Sequence, residues 1–164
     1  MLPKMYTKII KISSREWSKF QPFLCGGPCC NNAFPSGSVY GLFVGKNYEY
    51  IASMVWYTYP FFHTDFRKDL LPELRCLPEK EQIIFLNKNV RLLARISTLP
   101  QFRGLGFAGE LVEKTRCLLN VKYIECLTAH NDVRCLLTKL AFQQISMVKN
   151  KPIDYWLWSN PSVI

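Results

Sequence analysis

Residues 101–106 read Gln101-Phe102-Arg103-Gly104-Leu105-Gly106, and this hexapeptide constrains the chain more than any other stretch. It follows an apolar, strand-like run at 92–98 that Pro100 brings to an end. It opens a segment in which Ala108, Leu111, Val112, Thr115 and Leu118 recur at helical spacing, which predicts a helix over 104–119 with those residues on its buried face. The first amides of a helix have no internal partner, and the helix dipole adds positive charge at the same end. Two glycines there permit positive φ and let a bulky anion approach the backbone. The local expectation is a phosphate or pyrophosphate cradle at a helix N-terminus.

Two other phosphate loops do not fit. A dinucleotide fingerprint needs G-x-G-x-x-G; Gly104, Gly106 and Gly109 have that spacing, but the unit lies too far from the N-terminus for a usual nucleotide fold. The stretch Gly41-Leu42-Phe43-Val44-Gly45-Lys46-Asn47 has the wrong spacing for a Walker loop and lacks the hydroxyl that would hold magnesium. Gly41 and Gly45 read instead as a strand irregularity and a hairpin turn.

Around the hexapeptide the elements alternate. Residues 6–12 read as a first strand, and Ser13-x-x-Glu16 is a capping box that starts a short helix through Phe20. Residues 21–37 are rich in Gly and Pro and read as a long loop beside a substrate cleft. A hairpin over 38–44 and 49–59 follows. Asp65 is the N-cap of a helix over 65–71 that Pro72 interrupts, and His63 belongs to that capping neighbourhood. Strand 90–98, helix 104–119, strand 122–129, helix 132–140 and a hairpin over 142–148 and 154–159 complete a mixed α/β chain. With no repeat and no linker, residues 1–164 read as one domain.

The net charge is +9, which calls for an anionic partner. An anionic cofactor accounts for part of it. Nucleic acid is the alternative, although the basic residues are spread along the chain and form no dense run. No apolar run approaches the ~20 residues of a membrane span. The N-terminal alternation lacks signal-peptide architecture, so a cytoplasmic, reducing setting is expected. The seven cysteines are an odd number, so they cannot all pair internally. Cys76, Cys117, Cys126 and Cys135 sit in apolar patterns and read as buried free thiols. Cys25, Cys29 and Cys30 share a Gly-Pro turn that lacks a second ligand pair at zinc spacing; no metal is expected there.

The hexapeptide in its setting resembles the acyl-CoA motif of the GNAT superfamily of N-acetyltransferases, [Gln/Arg]-x-x-Gly-x-[Gly/Ala]. Pro100 stands where that family often has Pro, strand 123–129 follows at the family's distance, and Lys139-Leu140-Ala141-Phe142 is similar to its Lys-x-Gly-Phe ending. A looser likeness, carried by Glu16-Trp17-Ser18-Lys19-Phe20, Val39-Tyr40-Gly41-Leu42 and Trp56-Tyr57-Thr58-Tyr59-Pro60, is to GNAT-like domains associated with ABC-type ATPases and to phage Mom-like proteins. The resemblance implies a central mixed sheet that splays between two parallel strands, flanked by helices. It implies acetyl-CoA as cofactor, an amine acceptor, and a chain that can work as a homodimer or, in the Mom-like variant, on nucleic acid.

Residue by residue, the resemblance places the pantetheine along Ile96 and Thr98, and the pyrophosphate on the amides of Arg103, Gly104, Leu105, Gly106, Phe107 and Ala108. Arg103 and Lys139 add charge, and Asn131 contacts the cofactor. The family's proton-donating tyrosine falls at Leu137, which cannot donate; Cys135, Thr138 and His130 are the nearby substitutes. The strand before the glycines carries Arg91 and Arg95 and no carboxylate. Glu125 on the next strand is the candidate base, with a solvent-facing strand residue as its plainer reading. Tyr123 and Tyr57 are further candidates to reach the cleft.

Overall fold

The computed structural model describes residues 6–25, 35–62, 67–147 and 153–163. Seven strands form one sheet in the order β1-β2-β3-β4-β5-β7-β6: β1 (Thr7–Lys11), β2 (Ser38–Val44), β3 (Tyr50–Thr58), β4 (Val90–Thr98), β5 (Tyr123–Thr128), β6 (Gln143–Met147) and β7 (Asp154–Ser159). Neighbours are antiparallel except β4 and β5, which run parallel.

The parallel pair is short. Its register covers Val90↔Tyr123, Arg91↔Ile124 and Leu92↔Glu125, yet β4 continues to Thr98 and β5 to Thr128. The cause is local. Opposite β3, Arg95 pairs with Trp56 and Leu93 with Tyr57, so Ala94 is an extra residue without a partner. Such a bulge bends its strand and sharpens the twist. It falls directly after the last β4–β5 pair, so β4 swings towards β3 and β5 towards β7. The sheet opens into a fork between residues 93–98 and 126–128.

Helices α4 (Phe107–Arg116) and α5 (Asn131–Lys139) cover one face. Beneath them lies the main core, built from Leu42, Val55, Tyr57, Leu93, Leu111, Ile124, Leu137 and Trp156 among others. On the other face α1 (Trp17–Cys25) closes a second core with Val39, Phe43, Ile51 and Met54. A third core, around Leu71, Leu74, Leu86, Val90 and Tyr155, lies under α2 (Arg67–Leu70) and α3 (Glu79–Asn89). Among the described residues no helix is long and apolar enough to cross a membrane.

Several expectations need correction. Helix α1 runs to Cys25 and contains Pro22, where a loop was expected from residue 21. Its packing outweighs the lost backbone bond: Trp17 and Leu24 are buried, and β4 side chains hold its last carbonyls. Helix α3 was not anticipated, because only Gln82 and Leu86 on it are buried and the apolar stripe is correspondingly thin. Its charge pattern, Glu79 and Glu81 first and Lys88 last, does suit the helix dipole. Helix α4 starts at Phe107, after the glycines, and passes into a 3-10 turn at Cys117–Leu119; that turn leaves Leu118 exposed instead of on the buried face. Of the four cysteines expected inside, only Cys126 is buried. Cys76, Cys117 and Cys135 are exposed, and all four thiols are free. The calls on His63, Asp65, Cys29 and Cys30 lie outside the described residues.

Candidate acyl-carrier site

The glycine turn sits at the open end of the fork. Pro100–Phe102 forms a 3-10 turn off the end of β4. Gly104 and Gly106 then take φ values of +79° and +83°, which a residue with a Cβ adopts only at a cost of roughly 1–2 kcal/mol. A Cβ built on either would meet nothing within 4 Å, so the space over both Cα atoms is open. Gly106 is the N-cap of α4 and provides no side-chain cap; its carbonyl accepts from the amide of Glu110 at 3.0 Å. Among the described residues, the amides of Gly104, Leu105, Gly106, Phe107 and Ala108 have no hydrogen-bond acceptor. Five donors at the positive end of a helix, in open space, are the backbone arrangement that an anion site needs.

The cradle is anchored from below. Phe107 is buried, and its ring lies 6.1 Å from that of Phe102. Arg103 folds back so that Nε donates to the Thr98 carbonyl at 3.3 Å, which keeps the guanidinium beside the turn. From the cradle, the freed edge of β4 leads down into the fork past Thr98 and Ile96. Thr98 Oγ1 is 2.9 Å from the Ser53 hydroxyl on β3, and Ile96 packs on the main core. Asn131 is exposed at the start of α5, and its Oδ1 accepts from Arg134 at 2.8 Å. His130 is the N-cap position of α5, and its amide donates to Thr128 Oγ1 at 3.1 Å.

The catalytic candidates fare differently. Glu125 is fully buried, which excludes the solvent-facing reading. Arg67 Nη2 donates to its Oε1 at 2.8 Å and Nε to its Oε2 at 3.1 Å, and Tyr155 donates to Oε2 at 2.8 Å. Arg67 itself is only 2% exposed. Arg67 and Tyr155 thus hold this carboxylate in place beside the last β4–β5 pair. Tyr123 lies at the closed end, in the first β4–β5 pair. Its hydroxyl donates to Glu73 at 2.9 Å, and burial, followed by that bond, pushes its pKa up to about 12. Tyr57 is buried in the main core against Thr115, 2.9 Å away, and burial raises its pKa; it does not reach the cleft. Cys135 stays exposed on α5.

The end of α5 repeats the family pattern with a substitution. Ala141 takes φ +58°, the left-handed conformation that closes a helix and that glycine takes most easily. The amide of Phe142 donates to the Leu137 carbonyl at 3.0 Å and that of Ala141 to Thr138 at 3.1 Å. Leu137 is fully buried, so its position serves packing.

No protein-family profile matches the sequence, and no curated protein matches it. Solved structures do match the fold. An IAA acetyltransferase from Bacillus cereus aligns with a TM-score of 0.62 at 9% identity, over 94% of this chain and 100% of that one. An agmatine N-acetyltransferase aligns at 0.60 and 11% identity, over 94% and 100% of the two chains. A Bacillus subtilis acetyltransferase in complex with CoA aligns at 0.59 and 10% identity, over 96% and 99%. Identities this low carry the fold alone. The chain has the GNAT acetyltransferase fold, a seven-stranded mixed sheet parted at its parallel pair and flanked by helices.

Proposed function

We propose that residues 1–164 work as one acyl-CoA-binding domain, which transfers an acetyl group from acetyl-CoA to an amine. The observation that carries this reading is the pairing of an open cradle of unpartnered amides at 104–108 with a bulge-driven fork directly beside it. The names of similarly folded proteins, among them an acetyltransferase in complex with CoA, support the same reading.

Acetyl-CoA supplies an acyl group activated as a thioester. The amides of Gly104 to Ala108 neutralise its pyrophosphate, with Arg103 alongside. The backbone of Ile96 and Thr98, free of β5, aligns the pantetheine as an added strand. Helices α4 and α5 close that face of the fork, so the amine approaches from the face that α1 covers. One C–S bond breaks and one C–N bond forms; the amine gives up a proton and the departing sulfur gains one. Leu137 contributes none of this proton transfer. Cys135, the exposed thiol on α5, or water, returns the proton to sulfur.

Isothermal titration with acetyl-CoA tests the reading. Wild type should bind and melt at a higher temperature as ligand is added. Gly104→Glu should abolish binding, because it fills the cradle and sets a carboxylate against the phosphates. Absence of binding by wild type at millimolar ligand would refute the reading. A salt-dependent shift of DNA in that case would favour a nucleic-acid scaffold.

A further inference from the structure

We infer that Arg67, Glu125 and Tyr155 are positioning residues for the acyl carrier: they form a buried strut at the row where the sheet parts, and it fixes the width of the gap that the pantetheine enters. This rests on the acyl-CoA reading above and adds what holds that site open. Leu92 on β4 pairs with Thr58 on one side and with Glu125 on the other, and Glu125 pairs in turn with Leu157. Thr58, Leu92, Glu125 and Leu157 thus make one row across four strands, the last row in which β4 and β5 meet. Ile124 and Cys126 point into the main core, so by strand alternation Glu125 points to the opposite face, where Tyr123 and Leu127 pack on the third core. There the guanidinium of Arg67 is bonded to both sides of the row at once. Its Nε and Nη2 hold Glu125 at 3.1 and 2.8 Å, and its Nη1 donates at 2.6 Å to the carbonyl of Phe61, just beyond the end of β3. Tyr155 on β7 donates to the same carboxylate at 2.8 Å. The strut therefore joins β5 and β7 to the chain leaving β3, across the intervening strand β4.

Its chemistry suits a spacer better than a source of stability. Arg67 and Glu125 are 2% and 0% exposed, and a buried pair of this kind adds little net stability over apolar side chains of similar volume. What it adds is direction, because a bidentate guanidinium–carboxylate contact fixes distance and angle together. The bulge at Ala94 turns β4 aside only beyond this row. Two facing strand edges with unpaired N–H and C=O groups tend to extend their ladder and close the gap. A strand-like insert needs its neighbours about 9–10 Å apart, twice the ordinary strand spacing. A gap held near that width before binding spares the acyl carrier the work of opening it.

The test compares wild type, Arg67→Met/Glu125→Leu and Glu125→Gln as full chains. Calorimetry with CoA gives Kd, and hydrogen exchange read by mass spectrometry follows segments 93–98 and 123–128 without ligand. The double variant keeps most of the volume of the pair and loses its direction. It should fold, bind CoA about tenfold more weakly, and exchange more slowly in both segments as the ladder closes. KM for acetyl-CoA should rise with Kd, while kcat at saturation changes little. Glu125→Gln keeps one of the two contacts to Arg67 and should fall between the other two proteins in Kd. If the double variant does not fold, Arg67→Lys, which keeps the charge without the fork of donors, decides by the same Kd and exchange. A folded variant with wild-type Kd and wild-type exchange would overturn the inference, as would weaker binding that only tracks a smaller folded fraction. Glu125→Gln with unchanged Kd and no turnover would overturn it too, in favour of a base. Absence of CoA binding by wild type is the separate result that removes the underlying function.

Discussion

Removing the guanidinium of Arg67 should test whether Glu125 is a structural carboxylate. The pair is 2% and 0% exposed, with contacts of 2.8 and 3.1 Å. Arg67 Nη1 also donates to the Phe61 carbonyl at 2.6 Å, so this side chain ties the segment after β3 to β5. In Arg67→Met the carboxylate stays buried with the Tyr155 hydroxyl for a partner. Breaking a buried pair from one side costs about 3–5 kcal/mol. In a chain of this size each kcal/mol moves Tm by about 2–4 °C, so a fall of about 10 °C is expected. Glu125→Leu alone should cost a comparable amount by stranding Arg67. The double variant Arg67→Met/Glu125→Leu replaces both charges with apolar groups and should recover most of the loss. Urea denaturation followed by circular dichroism, run as a double-mutant cycle, should give a coupling above about 2 kcal/mol. Additive losses would refute the buried pair. A Glu125→Gln protein of wild-type stability that had lost all acetyl transfer would return Glu125 to the role of base.

Two further outcomes follow from backbone and burial. Ala141→Gly should stabilise the chain by about 0.5–1 kcal/mol in the same denaturation assay, because a left-handed alanine at φ +58° gives up strain of roughly 1–2 kcal/mol against the extra chain entropy of glycine; a loss of stability would mean the helix ends otherwise. In a thiol-reagent time course at pH 8, Cys76, Cys117 and Cys135 should react fast and Cys126 only on unfolding, since burial and then the neighbouring Glu125 push its pKa up to about 12. The unfolded, non-reduced chain should titrate close to its full seven thiols, and rapid labelling of Cys126 in the folded protein would contradict its place in the core.

What the sequence disclosed, and what it hid, divide along the range of the forces involved. The cradle was legible because its causes are local: Pro100, two glycines and a helix start lie within a few residues, and the structure gives both glycines the positive φ that the motif requires. The strands were legible because alternation follows the pleat, and β4 runs from Val90 to Thr98 as its apolar run implies. The burial of Glu125 was hidden because a carboxylate in a strand looks the same whether it faces solvent, a substrate or an arginine. Its partner lies 58 residues away, on a helix of four residues whose short polar sequence announces nothing. The fork has the same character. Nothing in Leu93-Ala94-Arg95 marks a bulge; it exists because β3 pairs with Leu93 and Arg95 and skips Ala94. The same skipped residue lies where the two strands part and leaves Arg95 on the α1 face, away from the main core. One irregularity in strand pairing therefore sets where the parallel pair parts, and it does not follow from residue identity without the partner strand.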